Sequence, residues 1–137
     1  MNSNECRVDD LVVVDASIED YEALLNDEEF QELAHRHFVT GEAALRGVDP
    51  SQATLWMVNM RLPDMDGVGF LGLVRNRARR CPVFLVSDAY SLAEEIAARA
   101  AGASAYLCKP VDSAWLRLCR NAVSRAAIRK GMPHTLG

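Results

Sequence analysis

Leu55-Trp56-Met57-Val58-Asn59, running on as Met60-Arg61-Leu62-Pro63-Asp64-Met65-Asp66-Gly67, is the stretch from which the fold is read. Four consecutive apolar residues show no polar alternation and are too few for a helix face. The run therefore reads as a strand covered on both sides. It stops at a polar residue, Asn59. Pro63 and Gly67 then mark a loop, and helical spacing resumes at Phe70, Leu71 and Val74. Buried strand, polar strand end, loop and helix make up half of a parallel β-α unit.

The same unit recurs on either side. Leu11-Val12-Val13-Val14 is a β-branched strand ending at Asp15. Ser17 is read as the cap of a following helix, with Glu19 and Asp20 favourable near its positive end and Tyr21, Leu24 and Leu25 at helical spacing. Asn26-Asp27-Glu28-Glu29 interrupts that helix, and Phe30 and Leu33 suggest a further turn. His35 to Val39 is a weaker strand near an edge. Gly41 to Leu45 starts a short helix, and Asp49-Pro50-Ser51 is a turn. Gly67 to Arg80 is helical by pattern. Pro82 to Val86 is another buried strand, ending at Ser87. Ala89 to Ala101 reads as a helix stopped by Gly102. Ala105 to Cys108 is the last strand, followed by Lys109-Pro110. Asp112 or Ser113 caps a final helix to about Lys130, before Gly131-Met132-Pro133. Five strands alternating with helices predict an α/β, doubly wound parallel sheet of flavodoxin-like order 2-1-3-4-5. The chain is read as one domain over residues 1–137, with a core of about 9–130. In such sheets function lies at the C-terminal strand ends, here Asp15, Asn59, Ser87 and Lys109.

Composition narrows the class. A chain of 137 residues buries roughly 65–70% of its unfolded surface. Half its residues are hydrophobic and a quarter charged, ordinary proportions for a soluble domain. No apolar stretch approaches the ~20 residues of a membrane span, and Met1 to Arg7 has no signal-peptide core. The reading is a cytoplasmic protein with no membrane contact. Cys6, Cys81, Cys108 and Cys119 lack metal-site spacing and are read as reduced thiols, mostly buried. Residues 1–54 carry 13 acidic and 3 basic side chains, and residues 55–137 carry 6 and 12. Opposite faces of one fold that attract weakly, or a bipolar surface that steers partners, both follow from that split. The basic residues lack interleaved aromatics, so no DNA partner is expected.

Taken together, these motifs resemble the response-regulator receiver domain, CheY-like in fold. The resemblance rests on Val14-Asp15, Asn59 with Leu62-Pro63-Asp64-Met65-Asp66-Gly67, Ser87 with Asp88-Ala89, Tyr106, and Lys109-Pro110. It implies a phosphoacceptor pocket in which two adjacent acidic residues and an acceptor Asp hold Mg²⁺. A Lys and a Ser or Thr there contact the phosphoryl group. Phosphoryl transfer needs an anionic nucleophile, a hard cation and donors to the equatorial oxygens. In this chain the pocket is degenerate. Asp15 matches the first acidic position, Ala16 replaces the second, and Asn59 stands where the acceptor Asp belongs. A single carboxylate, Asp15, is expected to face Lys109, with Asp88, Asp64 and Asp66 nearby in sequence. Mg²⁺ binding is not expected, and Asp15 is the one residual metal-ligand candidate.

Lys109 is one of two lysines beside 13 arginines, which suggests a need for a compact ammonium. Its role is either the phosphate contact that the resemblance implies or a structural one, satisfying Asn59 and Asp15. The resemblance also implies a cis bond before Pro110 and a switch pair, Ser87 and Tyr106. Against the switch stands a plainer reading: Ser87 bonds to backbone and Tyr106 is a partly exposed strand aromatic.

The function expected is a stand-alone atypical receiver, a pseudo-receiver and not an enzyme, acting through protein contacts in two-component signalling. A histidine kinase, a downstream effector, or a second copy docked through the last strand and last helix are the expected partners. The alternative is a pseudo-receiver gated by a small ligand or by phosphorylation elsewhere, for example on Ser87. Catalysis or cofactor binding is disfavoured. Asp15-Ala16-Ser17-Ile18-Glu19 lacks the glycine of a flavodoxin phosphate loop, and Ser17 stands where a haloacid-dehalogenase-type phosphatase needs its second Asp.

Three weaker signals remain. His35 and His37 share one face of an edge strand. Arg75, Arg77, Arg79 and Arg80 complement a helix end. Trp115, Cys119, Ala122 and Ala126 trace an apolar stripe, while Arg117, Arg120, Arg125 and Arg129 lie mostly off it and form a solvated or a docking face.

Overall fold

Alternation along the strands organises the molecule. The computed structural model describes residues 11–28, 34–51, 53 and 55–129. Its strands are β1 (Leu11–Val14), β2 (His35–Phe38), β3 (Trp56–Asn59), β4 (Val83–Ser87) and β5 (Ala105–Cys108). All pair in parallel, in the order β2-β1-β3-β4-β5. The helices are α1 (Glu22–Leu25), α2 (Gly41–Gly47), α3 (Gly67–Arg77), α4 (Leu92–Ala100) and α5 (Ser113–Arg129). The doubly wound order 2-1-3-4-5 is the one expected.

Every residue of β1, β3 and β4 is buried, as uninterrupted apolar runs require when helices cover both faces. The side chains divide by period two. Val12, Val14, Trp56, Val58, Val83 and Leu85 meet Ala44 of α2, Phe70, Leu71 and Val74 of α3 and Ala98 of α4. Leu11, Val13, Leu55, Met57, Phe84 and Val86 meet Leu24 of α1, Tyr21, and Trp115, Cys119 and Ala122 of α5. The edge strand β2 alternates between exposed and half-buried residues, with His35 and His37 on the exposed face. Cys81 and Cys119 are buried and Cys108 half-buried, all as free thiols.

Parallel register aligns the strand ends. Asn59 is level with Val86, and Ser87 with Cys108. Asp15, Asn59, Ser87 and Lys109 therefore reach one rim of the sheet. The loop from β3 returns tightly to α3: the Gly67 amide donates to the Met60 carbonyl at 2.8 Å. A Cβ on Gly67 would lie 2.7 Å from the Asn59 carbonyl oxygen and 2.9 Å from Met60 Cα. Only glycine permits that approach.

Several boundaries differ from the sequence pattern. The first helix is a 3₁₀ turn, Ile18–Tyr21, followed by the single turn of α1, and the Ser17 side chain does not cap it. Its hydroxyl donates instead to Glu19 Oε1, and its amide to Asp15 Oδ1, each at 2.9 Å. The helix α3 stops at Arg77, before Arg79 and Arg80. Arg75 and Arg77 do stand in the last turn of that helix, and Arg75 also donates to the carbonyls of Cys81 and Gly102, bracing the turns into β4 and β5. The helix α4 begins at Leu92 and not at Ala89, because Ser91 caps it by accepting the Glu94 amide. At α5, Asp112 is the capping side chain, accepting the Ala114 and Trp115 amides. Cys6, Phe30, Leu33 and Lys130 lie outside the described residues, as do the side chains of Arg125, Ala126 and Arg129. Among the described residues no helix is long and apolar enough to cross a membrane.

Candidate functional site

The C-terminal rim of the sheet encloses an open cavity of about 450 Å³, lined by Asp15, Ala16, Ser17, Asp20, Asn59, Arg61, Asp88, Lys109 and Pro110. Ser87 is not in that lining. It borders a neighbouring cavity of about 220 Å³ with Met60, Tyr90, Ser91 and Glu94. Ala16 is exposed, and its side chain carries no polar atom. The Lys109–Pro110 bond is cis, and Lys109 lies directly beyond β5.

The Lys109 ammonium is 3.0 Å from Asp15 Oδ2, 2.7 Å from Asp20 Oδ2 and 3.0 Å from Asp88 Oδ1. Three carboxylates from separate parts of the chain thus lie within ion-pair distance of one ammonium, which donates a hydrogen bond to Asp20. The face of the Tyr21 ring lies 5.5 Å away. The expectation of one carboxylate facing one lysine is corrected: Asp20, from the 3₁₀ turn, and Asp88, beyond β4, join Asp15. Asp64 and Asp66 do not. Asp64 accepts the Gly41 and Glu42 amides at 2.9 Å, and Asp66 caps α3 through the Gly69 amide at 2.7 Å. Nor does Lys109 satisfy Asn59 in the way the structural reading supposed.

Asn59 is 3% exposed and bonds to the carboxylates themselves. Its Nδ2 donates at 3.0 Å to Asp15 Oδ2 and at 3.0 Å to Asp88 Oδ1. Its Oδ1 accepts the Arg61 amide at 2.8 Å. Carboxylates only accept, which orients the amide: its donor end faces the pocket and its acceptor end faces the backbone. Asp15 also accepts the Tyr21 hydroxyl at 2.7 Å. The His37 ring Nε2 bonds to the Asp15 carbonyl at 2.8 Å, tying the edge strand to the rim.

The charges are mutually supporting. Burial by itself would lower the Lys109 ammonium, but hydrogen bonds to Asp20, Asp88 and Asp15 outweigh it and hold the group above its ordinary value. The hydrogen bond from Lys109 holds Asp20 below the usual carboxylate range. Lys109 and then Asn59 do the same for Asp88. Burial, reinforced by Asp15, pushes the Tyr21 phenol far up and keeps it protonated as a donor. Among the described residues no group of three or more His, Cys, Asp or Glu side chains is arranged to hold a metal ion.

Ser87 and Tyr106 are both buried, at 4% and 9% exposure. The reading of Tyr106 as a partly exposed strand aromatic is therefore corrected: its ring joins the α3-side core. Ser87 Oγ is 2.6 Å from the Ala89 carbonyl and 2.6 Å from Glu94 Oε1. Of the carboxylates named as nearby in sequence, Asp88 does join the rim, whereas Asp20, Tyr21 and Glu94 were not singled out as members of it. The only available signal was that Asp20 and Asp88 lie within a few residues of a strand end.

A five-stranded sheet of this order, with acidic, amide, hydroxyl and lysine side chains on its rim, defines a signalling domain of the CheY-like class. Residues 8–119 match the family model of the response regulator receiver domain, and the chain belongs to that family, whose members are signalling modules of two-component systems. Regulatory protein LuxO of Vibrio cholerae serotype O1 is 28% identical over 88 residues. That match covers 64% of this chain and 19% of LuxO, so the chain spans a minor part of that relative's length. A CheY-like receiver domain from Methanospirillum hungatei superimposes with a TM-score of 0.76 at 20% identity, covering 89% of this chain and 98% of that one. Chemotaxis protein CheY4 of Vibrio cholerae gives 0.70 at 19% identity, covering 85% and 98%. Likeness at these identities is one of fold.

Proposed function

We propose that this chain is an atypical receiver, which signals through protein contacts without phosphorylation at residue 59. The observation that carries the reading is the orientation of Asn59. A phosphoacceptor presents an anionic oxygen to the pocket, whereas Asn59 presents Nδ2, already donating to Asp15 and Asp88. A neutral amide cannot form an acyl phosphate.

Mg²⁺ does not fit this donor set. Octahedral coordination calls for oxygen ligands at about 2.0–2.1 Å. Asp15, Asp20 and Asp88 direct oxygens at the Lys109 ammonium, the Ala16 side chain offers no oxygen, and Asn59 turns its side-chain oxygen to the Arg61 amide. Lys109 is engaged by three carboxylates and is not left facing a phosphoryl position. Phosphorylation of Ser87 is disfavoured in the same reading, because its hydroxyl is buried and engaged by Glu94.

Output then runs through surfaces. Tyr90, Leu92 and Ile96 are each at least 60% exposed, and Leu92 and Ile96 share one face of α4 at a spacing of four. Apolar side chains gathered in this way suit a protein partner, such as a histidine kinase, a downstream effector, or a second copy docked through β5 and α5. A cytoplasmic location goes with this role.

Intact-mass analysis after treatment with acetyl phosphate and Mg²⁺ tests the reading. The wild type is expected to show no adduct at residue 59, and Asn59→Asp alone only weak labelling. Asn59→Asp combined with Ala16→Asp is expected to label strongly. An adduct at residue 59 of the wild type sinks the proposal. Labelling of Asn59→Asp alone at the rate of the double variant means that Asp20 or Asp88 already supplies the missing ligand.

A further inference from the structure

We propose that the end of the sheet opposite the rim carries a binding site for a small organic monocarboxylate, formed where β4 and the entry to β5 meet α5. Arg80 pairs with the carboxylate, and Phe84, Leu118 and Ala122 receive the apolar body. The inference goes beyond the reading of residue 59 and does not depend on it.

Local periodicity builds the apolar part. Phe84, the second residue of β4, faces α5 and belongs to the core on that side. Leu118 and Ala122 are four residues apart on α5 and so share a face. They border a cavity of about 220 Å³ that Pro82 also lines. Phe84 and Ala122 are 3% and 7% exposed and form its floor, while Leu118 is 39% exposed at its edge. The space equals that of about seven waters in the liquid. It is smaller than a drug-sized pocket, roughly 300–1,000 Å³, so the ligand is small.

The polar lining sets the chemical class. Arg80, Ser104 and Asn121 complete it, and Arg80 is the one charged residue there. Arg61, Arg75 and Arg99 each bond a carboxylate or a carbonyl, whereas Arg80 has no partner among the described residues. Ser104 is fixed from behind: its Oγ accepts the Val83 amide at 3.1 Å, and its own amide donates to the Val83 carbonyl at 2.8 Å. Its hydroxyl hydrogen remains to donate. The Asn121 side chain has no partner among the described residues either, and it adds amide donors. Three sets of unengaged donors with no acidic side chain between them fit an anion. A guanidinium matches a carboxylate through a two-pronged fork. One cation balances one negative charge, and a phosphate group, with about −1.5 to −2 at neutral pH, exceeds it. The apolar floor requires a hydrocarbon body behind the carboxylate.

Hexanoate is the probe, titrated into the full chain while backbone amide resonances are recorded. The Ser104, Leu118, Asn121 and Ala122 amides are expected to shift and those of Asp15, Asn59 and Lys109 to stay, with a dissociation constant on the order of 1 mM. Arg80→Gln is expected to weaken binding about tenfold. Arg79→Gln removes the same charge one residue away, outside the lining, and is expected to change affinity by less than about twofold. Asn121→Asp, nearly isosteric and at an exposed position, sets a negative charge against the ligand and is expected to abolish binding. Hexylammonium and inorganic phosphate are expected not to shift these amides. Absence of shifts with hexanoate overturns the inference, as does equal weakening by Arg79→Gln and Arg80→Gln, undiminished binding to Asn121→Asp, or binding of hexylammonium or phosphate as tight as that of hexanoate. Shifts of the same amides on raising protein concentration without probe would assign the cleft to a second copy of the chain and overturn it too. A phosphate adduct at residue 59 would refute the preceding proposal and leave these shifts unchanged.

Discussion

Lys109 shows at the residue scale how the charges of the rim balance one another. Burying an ammonium is unfavourable unless it is paired, and here three carboxylates pair it. Lys109→Met leaves Asp15 buried and uncompensated. The expected cost is about 3 kcal/mol, the lower end for a broken buried pair, because Tyr21, Asn59 and Ser17 still bond Asp15. Adding Asp15→Asn to that variant is expected to recover most of the loss in chemical denaturation. The pH dependence follows in sign. Asp20 and Asp88 have depressed values when folded, so their contribution is present above the ordinary carboxylate value, about 4, and is lost as pH falls through the folded value. Lys109 has a raised folded value, so its contribution is present below the ordinary lysine value, about 10, and is lost as pH rises through the folded one. The stability gap between wild type and Lys109→Met is therefore widest near neutrality and narrows in acid and in strong alkali. A gap that is flat with pH would show that the carboxylates do not respond to this lysine.

At the scale of the element, α3 and its loop set where Asn59 points. Gly67 opens the helix against the Asn59 carbonyl. Gly67→Ala places a carbon into backbone that cannot give way, and the expected cost is about 1–3 kcal/mol. Gly72 lies on the exposed side of the same helix, and a methyl group there would meet nothing within 4 Å. Gly72→Ala is expected to stabilise by about 0.5–1 kcal/mol, since alanine is the better helix former. Thermal denaturation of the two variants separates close approach from intrinsic propensity within one element. The sequence placed this helix correctly from Phe70, Leu71 and Val74, but overran its end to Arg80. It also started α4 three residues early at Ala89, because an alanine-rich stretch carries no sign of which hydroxyl caps it. Ser91 caps α4 in the folded chain, where Tyr106 secures its backbone.

In the whole molecule, two cores lie on opposite faces of one sheet, and both approach solvent at the rim. Trp115 of α5 is 3% exposed and packs edge-on to Tyr21 with centroids 6.2 Å apart. Through Tyr21 it backs Asp15. Trp115→Ala is expected to cost about 3–5 kcal/mol in denaturant unfolding, and a cost below about 1 kcal/mol would mean that α5 does not seal this face. The separation of charge along the chain has a local expression: Asp15 and Asp20 come from the acidic segment and Lys109 from the basic one. That contact fits attraction between parts of one fold.

Read from the chain alone, the strands, their order and the rim positions Asp15, Asn59, Ser87 and Lys109 were all legible. Apolar runs and turn residues are local signals, and parallel pairing leaves few ways to arrange them. What surrounds those positions was not. Asp20 read as a helix-start acid, Tyr21 as core, and Glu94 carried no motif. Each acquires its role from the path of a loop: the 3₁₀ turn that swings Asp20 to Lys109 across 89 residues of sequence, and the cap at Ser91 that turns Glu94 back to Ser87. Such contacts depend on distances between elements remote in sequence. They are decided only when the sheet brings the ends of its strands together.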